Sequence, residues 1–319
     1  MLEIEDLSVR LAPGKAARPI LDGVSLRVAQ GETVGLVGES GSGKSVTCRA
    51  VLGLLPGGSA AGGSLRFDGD DVLSMPAARL REHRRRDVAM IFQDPLASIN
   101  PMRRIGDHVT EGMRASGVPR EEALARAEGL LESVGIRDPR AALRSYPHEF
   151  SGGMLQRVMI AGALAGEPRL LLADEPTTAL DVTTQAEVIS ILTGLRTERS
   201  MAMLFVTHDL ELAAAICDRV CVMYAGRIVE VQPAEALFAR PRHPYTRGLL
   251  TATPRLDGGR PHGVPGRPVS LSDLVTGCAF APRCPHASPV CEEQDPVIRT
   301  IDGAQVACLR AEELTDERA

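Results

Sequence analysis

The chain has 319 residues and a formal net charge of −5 at pH 7, with 44% hydrophobic and 24% charged residues. A chain of this length and composition can bury a large core, as one big domain or as one domain with an appendage. The weakly acidic balance gives no general reason to bind nucleic acid, so we expect none as a partner. The sequence has neither the roughly 18 consecutive apolar residues of a membrane span nor the basic start of a signal peptide.

Two strand-like runs open the chain. Residues 2–30 alternate between apolar and polar side chains in LEIEDLSVRL and ILDGVSLRV, on either side of a Pro/Gly turn. Alternation of this kind predicts half-buried strands. We therefore expect an antiparallel sheet that flanks the main core.

A glycine-rich segment then gives the strongest local signal, GLVGESGSGKS at residues 35–45. Residues 38–45 fit the P-loop pattern G-x-x-x-x-G-K-[ST], after the apolar run TVGLV and before a helical run. Its backbone N–H groups can surround phosphate oxygens, its lysine can reach the β- and γ-phosphates, and its last hydroxyl can bind Mg²⁺. A chance glycine-rich turn is the alternative, and the flanking strand and helix argue against it. The predicted nucleotide-binding residues here are Gly38, Glu39, Ser40, Gly41, Ser42, Gly43, Lys44, Ser45 and Val46, with Ser45 also a magnesium ligand.

The middle of the chain is helical in pattern. From about residue 95 to residue 164 the apolar residues recur at helical spacing, and REEALARAEGLLESVGI is amphipathic. We therefore predict an inserted helical subdomain over this range.

A second buried strand ends in two carboxylates. RLLLADEP, residues 169–176, is a continuous apolar run followed by Asp174 and Glu175, as expected of a parallel strand that delivers acids to the carboxyl edge of a sheet. We predict that Asp174 holds Mg²⁺ and that Glu175 polarises the attacking water. Acids that merely cap a helix are the alternative for this segment taken alone.

Four further segments resemble the ATP-binding subunits of ABC transporters. They are Gln93 in MIFQDP, the run FSGGMLQR at residues 150–157, ALD at residues 179–181 and His208 in LFVTHD, in the order and at the intervals typical of that family. The resemblance implies an α/β fold: a P-loop ABC-type nucleotide-binding domain with an antiparallel β subdomain, an inserted helical subdomain and, here, a small cysteine-containing extension.

The resemblance also implies roles for these residues. Gln93 is expected to contact Mg²⁺ and the attacking water, and His208 to contact the γ-phosphate of ATP. Ser151, Gly152 and Gly153 are expected to complete the nucleotide site of a second ATPase subunit. The chemistry agrees, because a hydroxyl and unpaired N–H groups at a helix start form a second anion-binding device. A head-to-tail dimer would bring both devices to one ATP.

The carboxyl-terminal region resembles the extension found on ATPase subunits of oligopeptide and dipeptide importers. HPYTRGLL, VPGRP and GCAFAPRCPHASPVC carry this resemblance. We predict an ABC ATPase domain at residues 1–240 and the extension at residues 241–319. The implied function is ATP-driven peptide uptake with two membrane permease subunits, a second related ATPase and, indirectly, a substrate-binding protein. The implied location is the cytoplasmic face of the membrane, bound peripherally.

Other functions stay open at this stage. Related importers carry nickel chelates, opines or sugars, and a soluble ABC-type ATPase would share the signature. Soluble ATPases of that class carry long coiled coils or tandem cassettes, which this sequence lacks. A GTPase would share the P-loop, but Asn100 is the sole asparagine of the chain, so the base-reading motif N-K-x-D is absent.

Four cysteines in the extension raise a separate question. Their spacing is C-x₅-C-x₆-C-x₁₆-C, and a reducing cytoplasm disfavours disulfides. A tail with little apolar periodicity could use a ligated metal in place of a core. The proline directly after Cys284 suits a [4Fe–4S] cluster, and the resemblance to these importers implies one, so we rank a [4Fe–4S] cluster first, zinc second and unligated thiols third. The predicted ligands are Cys278, Cys284, Cys291 and Cys308.

Overall fold

A computed structural model describes residues 1–11, 18–178, 180–252, 263–271 and 276–315. The chain divides into two compact units, Met1–Ser74 with Phe205–Ala319, and Met75–Leu204. Ala179, part of the ALD segment, lies outside the described residues. Every helix in the described ranges is too short or too polar to cross a bilayer.

The described residues contain both β-strands and α-helices. The strands are β1 (Leu2–Leu11), β2 (Arg18–Val28), β3 (Thr33–Val37), β4 (Ala60–Phe67), β5 (Asp70–Asp71), β6 (Val88–Ile91), β7 (Leu170–Asp174), β8 (Ala202–Thr207), β9 (Arg219–Tyr224), β10 (Arg227–Pro233), β11 (Arg299–Ile301) and β12 (Ala304–Val306). The α-helices are α1 (Lys44–Val51), α2 (Ala77–Glu82), α3 (Pro95–Ser98), α4 (Ile105–Val109), α5 (Glu111–Ala115), α6 (Arg120–Ser133), α7 (Pro139–Ala142), α8 (Gly152–Leu164), α9 (Val182–Arg199), α10 (Leu210–Ile216), α11 (Ala234–Ala239), α12 (Pro244–Ala252) and α13 (Pro289–Glu293).

The first unit contains the antiparallel sheet that the opening alternation predicts. Its strand order is β2-β1-β4-β5, and every pairing is antiparallel. Strand β1 buries Leu2, Ile4, Leu7 and Val9. The alternation shifts by one residue after Ile4, where the pairing of β1 with both neighbours is irregular and Asp6 has a φ of 51°. An extra residue of this kind is a β-bulge, which keeps the apolar side chains on the core face.

A second sheet of the first unit carries the glycine-rich loop. Within this unit its order is β11-β12-β10-β9-β3. Strand β3 pairs parallel to β9, with Val34 opposite Arg219 and Val37 opposite Val222. All five residues of β3 are buried, as expected for a strand covered on both faces. The loop that follows β3 therefore starts from a rigid position.

The second unit holds the predicted helices and the acid-bearing strand. Helices α3 to α8 lie between Pro95 and Leu164. Helix α6 buries Ala123, Ala127 and Leu131, which are spaced four residues apart and so share one face. Strand β7 pairs parallel to β6 and is buried along its whole length. Strand β8 spans the division between the units.

A buried carboxylate anchors the start of the carboxyl-terminal extension. Glu230 in β10 is fully buried and accepts hydrogen bonds from the backbone N–H groups of Arg242 at 2.7 Å and His243 at 2.9 Å. Burial raises the pKa of Glu230, and these N–H groups oppose the shift. The Nδ1 atom of His243 accepts from the backbone N–H of Tyr245 at 3.0 Å. These bonds fix the turn that leads into α12.

The buried ring of His243 makes the stability of the first unit depend on pH. Burial lowers the pKa of His243 to about 3, whereas an unfolded histidine titrates near 6.5. Below about pH 6.5 this histidine therefore binds a proton in the unfolded chain but not in the folded chain. As a result the free energy of unfolding decreases as the pH is lowered. Between pH 7 and pH 5 the expected loss from this one group is about 2 kcal/mol.

Urea unfolding at both pH values checks this prediction. His243→Asn can keep an acceptor for the Tyr245 N–H but does not titrate. Between pH 7 and pH 5 its free energy of unfolding should therefore fall by about 2 kcal/mol less than that of the wild type. His148→Asn changes an exposed histidine and should keep the wild-type dependence. Equal pH dependence of wild type and His243→Asn would show that this ring does not contribute.

Candidate functional site

The P-loop encloses the side chain of its own lysine. Lys44 begins helix α1 and is only 5% exposed. Its Nζ donates hydrogen bonds to the backbone carbonyls of Gly38 at 2.8 Å and Glu39 at 3.0 Å. Gly41 and Gly43 have φ values of 81° and 106°, which L residues with side chains rarely adopt. The loop thus holds a buried cation at a helix N-terminus, the arrangement that binds phosphate.

Two glycines let this loop lie directly on neighbouring strands. A Cβ atom at Gly38 would lie 2.2 Å from the carbonyl oxygen of Met223, and one at Gly43 would lie 2.6 Å from Cδ2 of Leu21. The backbone N–H of Gly226 donates to the carbonyl of Ser42 at 2.9 Å. The P-loop is therefore fixed against β9 and the turn that follows it.

His208 occupies an exposed position directly after strand β8. The backbone N–H of Asp209 donates to Oγ1 of Thr207 at 3.0 Å, and the carboxylate of Asp209 caps α10 by accepting from the N–H of Leu212 at 3.0 Å. These bonds set the backbone on both sides of His208. Its contact with the γ-phosphate stays a prediction.

The predicted water-polarising acid and Gln93 meet in the second unit. Because β6 and β7 are parallel neighbours, their carboxyl ends lie at the same edge. Nε2 of Gln93 donates to Oε2 of Glu175 at 3.0 Å, and Oγ1 of Thr178 donates to the same oxygen at 2.9 Å. Asp174, the last residue of β7, is 3% exposed. The structure thus brings Gln93 and Glu175 together and directs the Glu175 carboxylate by two hydrogen bonds.

The Ser-Gly-Gly segment lies at the N-terminus of helix α8 in the same unit. The Oγ atom of Ser151 accepts from the N–H of Met154 at 3.3 Å. Ser151 and Gly152 are exposed, and a Cβ atom at Gly152 would meet nothing within 4 Å. At Gly153 a Cβ atom would lie 2.5 Å from Cγ2 of Thr184. The first glycine therefore leaves the helix start open to an approaching anion, and the second lets α8 pack closely against α9.

Two residues of the extension contact the P-loop, and sequence reasoning missed both. The hydroxyl oxygen of Tyr245 accepts from the backbone N–H of Glu39 at 2.9 Å. The guanidinium of Arg283 forms two hydrogen bonds with the Glu39 carboxylate, at 2.6 Å and 3.0 Å. Both residues stand in segments that the sequence marks as unusual, HPYTRGLL and GCAFAPRC, but a single sequence gives no signal for the pairing.

The four-cysteine metal site is corrected by the structure. Across the described residues, no group of three or more His, Cys, Asp and Glu side chains is arranged to hold a metal ion. Burial raises the pKa values of Cys278 and Cys284, and that of Cys308 to about 11, which favours the thiol over the thiolate that a metal requires. The iron–sulfur assignment was therefore wrong, and zinc at these cysteines has no support either.

The extension also has a hydrophobic core. The prediction of a metal site assumed that it had none. Ala304, Val306 and Ala311 form a buried apolar cluster, against which Ile301 and Cys308 pack. A ligated metal is consequently not needed to explain why this part of the chain folds.

Family models match most of the chain. Residues 21–178 match the ABC transporter model, and residues 229–291 match the oligopeptide/dipeptide transporter C-terminal region. The chain is 44% identical over 313 residues to the oligopeptide transport ATP-binding protein OppD of Salmonella typhimurium, covering 97% of this chain and 93% of that protein. It is 42% identical over 312 residues to the dipeptide transport ATP-binding protein DppD of Haemophilus influenzae, covering 97% and 94%.

A solved structure supports the fold. The ATP-binding cassette MJ0796, described as a dimer in a post-hydrolysis state bound to ADP and Pi, matches with a TM-score of 0.66 and 26% identity. The match covers 73% of this chain and 99% of the cassette. The α/β fold of an ABC-type nucleotide-binding domain, predicted from the motifs, is confirmed.

The close approach at Gly38 gives a stability prediction. Gly38→Ala places a methyl group against a backbone carbonyl, which cannot move without shifting β9, so we expect a loss of about 1–3 kcal/mol in the free energy of unfolding. Gly57→Ala is the matched control, because a Cβ atom there would meet nothing within 4 Å, and it should change stability by less than about 0.5 kcal/mol. Chemical unfolding compares the two, and equal stabilities would contradict the tight fit.

Proposed function

Because the chain belongs to the ABC transporter family, in the branch that carries the oligopeptide/dipeptide transporter C-terminal region, we propose that it hydrolyses ATP to power peptide uptake through a membrane importer. The observation that carries the proposal is that one chain has both an intact P-loop, closed around Lys44, and a Glu175 carboxylate that Gln93 directs. A phosphate-binding module without catalysis would not need the second feature.

Each predicted residue has a defined task in hydrolysis. The N–H groups of the P-loop and Lys44 bind the phosphates and balance their charge, and His208 contacts the γ-phosphate. Glu175 accepts a proton from the attacking water and orients it. Hard oxygen donors suit Mg²⁺, which would add positive charge beside the phosphates. The residues that would hold it in the proposed site are Ser45 by its hydroxyl, Asp174 by its carboxylate and Gln93 by its amide oxygen.

The open helix start at Ser151 and Gly152 supports a shared site. A helix N-terminus with an exposed glycine is an anion-binding device, and the chain already has one such device in its P-loop. In the proposed assembly Ser151, Gly152 and Gly153 of one subunit close on the ATP held by the other. The related cassette MJ0796 is described as dimeric. Here the opposing subunit is a second, related ATPase.

The remaining partners follow from the importer assignment. Relatives of this chain are named as transport ATP-binding proteins for oligopeptides and dipeptides. A pair of permease subunits supplies the membrane path, and a substrate-binding protein selects the peptide before it reaches them. The ATPase then works at the cytoplasmic face of the membrane, held there by the permeases.

Two substitutions separate binding from catalysis. Lys44→Ala removes the buried cation of the P-loop, so we expect ATP binding to be lost. Glu175→Gln keeps the shape of the side chain but cannot take a proton, so we expect binding to remain while turnover falls about 100-fold or more. Phosphate release in the assembled transporter measures turnover, and labelled nucleotide measures binding.

An exposed carboxylate of the same unit provides the control for charge. Glu187→Gln makes the same chemical change on the surface of α9 and should leave turnover within about twofold, as expected for a surface site. Normal turnover in Glu175→Gln would remove this residue from the mechanism.

A further inference from the structure

The guanidinium of Arg283 is buried and fully hydrogen-bonded. Its side chain is 3% exposed, and a guanidinium has five N–H donors. Two of these bonds go to the Glu39 carboxylate. The others reach the carbonyls of Pro265 at 2.7 Å and Val264 at 3.1 Å and the hydroxyl of Tyr224 at 3.4 Å. Because all five N–H donors have acceptors, the guanidinium group is held in one orientation. In that orientation two of its nitrogens face Glu39 of the P-loop.

The surroundings of Arg283 hold it there by shape as well. Gly266 has a φ of 78°, and a Cβ atom at this position would lie 3.3 Å from Cγ of Arg283. The Cζ atom of Arg283 lies 5.7 Å from the centroid of the Tyr224 ring, within cation–π range. The rings of Tyr224, Tyr245 and Phe280 pack on one another with centroids 4.7 to 5.4 Å apart. VPGRP thus forms a cradle for the arginine.

The N–H, the carboxylate and the carbonyl of Glu39 all have hydrogen-bond partners, and the partners of the N–H and of the carboxylate belong to the extension. Its N–H binds the Tyr245 hydroxyl and its carboxylate binds Arg283. Its carbonyl accepts a hydrogen bond from Nζ of Lys44. A shift of Glu39 would therefore move a hydrogen-bond acceptor that positions Lys44.

We propose that the carboxyl-terminal extension clamps the P-loop, with Arg283 and Tyr245 as positioning residues that hold Glu39 and, through its carbonyl, Lys44 in the geometry that binds ATP. The proposal rests on the ATPase function given above. Its physical basis is preorganisation: a loop that is already ordered loses less conformational freedom when the nucleotide binds. Because coupling free energies are reciprocal, bound nucleotide must in turn stabilise the contacts of the clamp.

The affinity of the full-length chain for Mg-ATP tests the clamp. Arg283→Gln and Glu39→Gln each remove the two-pronged ion pair, and Tyr245→Phe removes the hydroxyl acceptor. We expect each to weaken ATP binding by about 10-fold, a size typical of coupling between contacting residues. The double variant Glu39→Gln with Arg283→Gln should lose less than the product of the two single effects, because it leaves no charge unpaired.

A second buried arginine of the extension provides the matched control. Arg242 is 4% exposed and pairs at 2.9 Å with the 61% exposed carboxylate of Asp302, whereas Arg283 pairs with a carboxylate of the P-loop. Asp302→Asn breaks this pair and should leave ATP affinity within about twofold, whatever it does to the melting temperature. Titration with a fluorescent ATP analogue, with ATP as competitor, gives the dissociation constants.

Hydrogen–deuterium exchange separates positioning from plain stability. In the wild type and in Asp302→Asn, a non-hydrolysable ATP analogue with Mg²⁺ should slow exchange at residues 280–284, and in Arg283→Gln this protection should be lost. Wild-type affinity in the folded clamp variants would overturn the inference, as would an equal loss of affinity in Asp302→Asn. A wild-type chain that fails to bind Mg-ATP would instead overturn the proposed function.

Discussion

The absence of a side chain at position 38 is the constraint on which the nucleotide site depends. Any Cβ atom there would lie 2.2 Å from the carbonyl oxygen of Met223, so the backbone itself touches β9. This contact places the start of the P-loop on a buried sheet. From that start the loop turns around Lys44 and enters α1 with its N–H groups available to phosphate. The geometry of the proposed phosphate site thus depends on strand packing.

Rigidity at the start of the loop is supplemented by the extension. Glu39, the next residue, is held by its N–H and by its carboxylate. Tyr245 is itself held by the turn before it. The buried carboxylate of Glu230 accepts hydrogen bonds from the N–H groups of Arg242 and His243 in that turn. An extension that first looks like an appendage therefore shares the task of ordering the P-loop. This gives a structural reason for the glutamate within GESGSGKS and for the HPY segment to occur in one chain.

Local chemistry made the motifs of this chain predictable from sequence. A P-loop and the acids that end a buried strand each depend on neighbours within a few residues, so Lys44 and Glu175 could be predicted from local spacing, whereas Ser151 was predicted from the family resemblance. The contact between Gln93 and Glu175 is known only from the structure, because the sequence predicted the strand before Glu175 but not the parallel strand before Gln93. Similarly, Arg283 lies 244 residues from Glu39, and nothing in a single sequence links the two.

The cysteines show how a sequence argument fails when its premise is wrong. The metal site was inferred because the tail has little apolar periodicity, but periodicity detects only long helices and strands. The extension builds its core from short pieces instead: the three-residue strands β11 and β12, a cluster around Val306, and aromatic packing of Phe280 on Tyr224. Side chains scattered in this way leave no periodic signal.

Peptide uptake into proteoliposomes tests the central claim most directly. The permease pair, the second ATPase and this chain would be reconstituted with the substrate-binding protein, and accumulation of a labelled oligopeptide would be followed with ATP supplied on the side of the ATPases. The account predicts accumulation that requires ATP and stops when this chain carries Glu175→Gln. Steady ATP hydrolysis without accumulation of any peptide would contradict it.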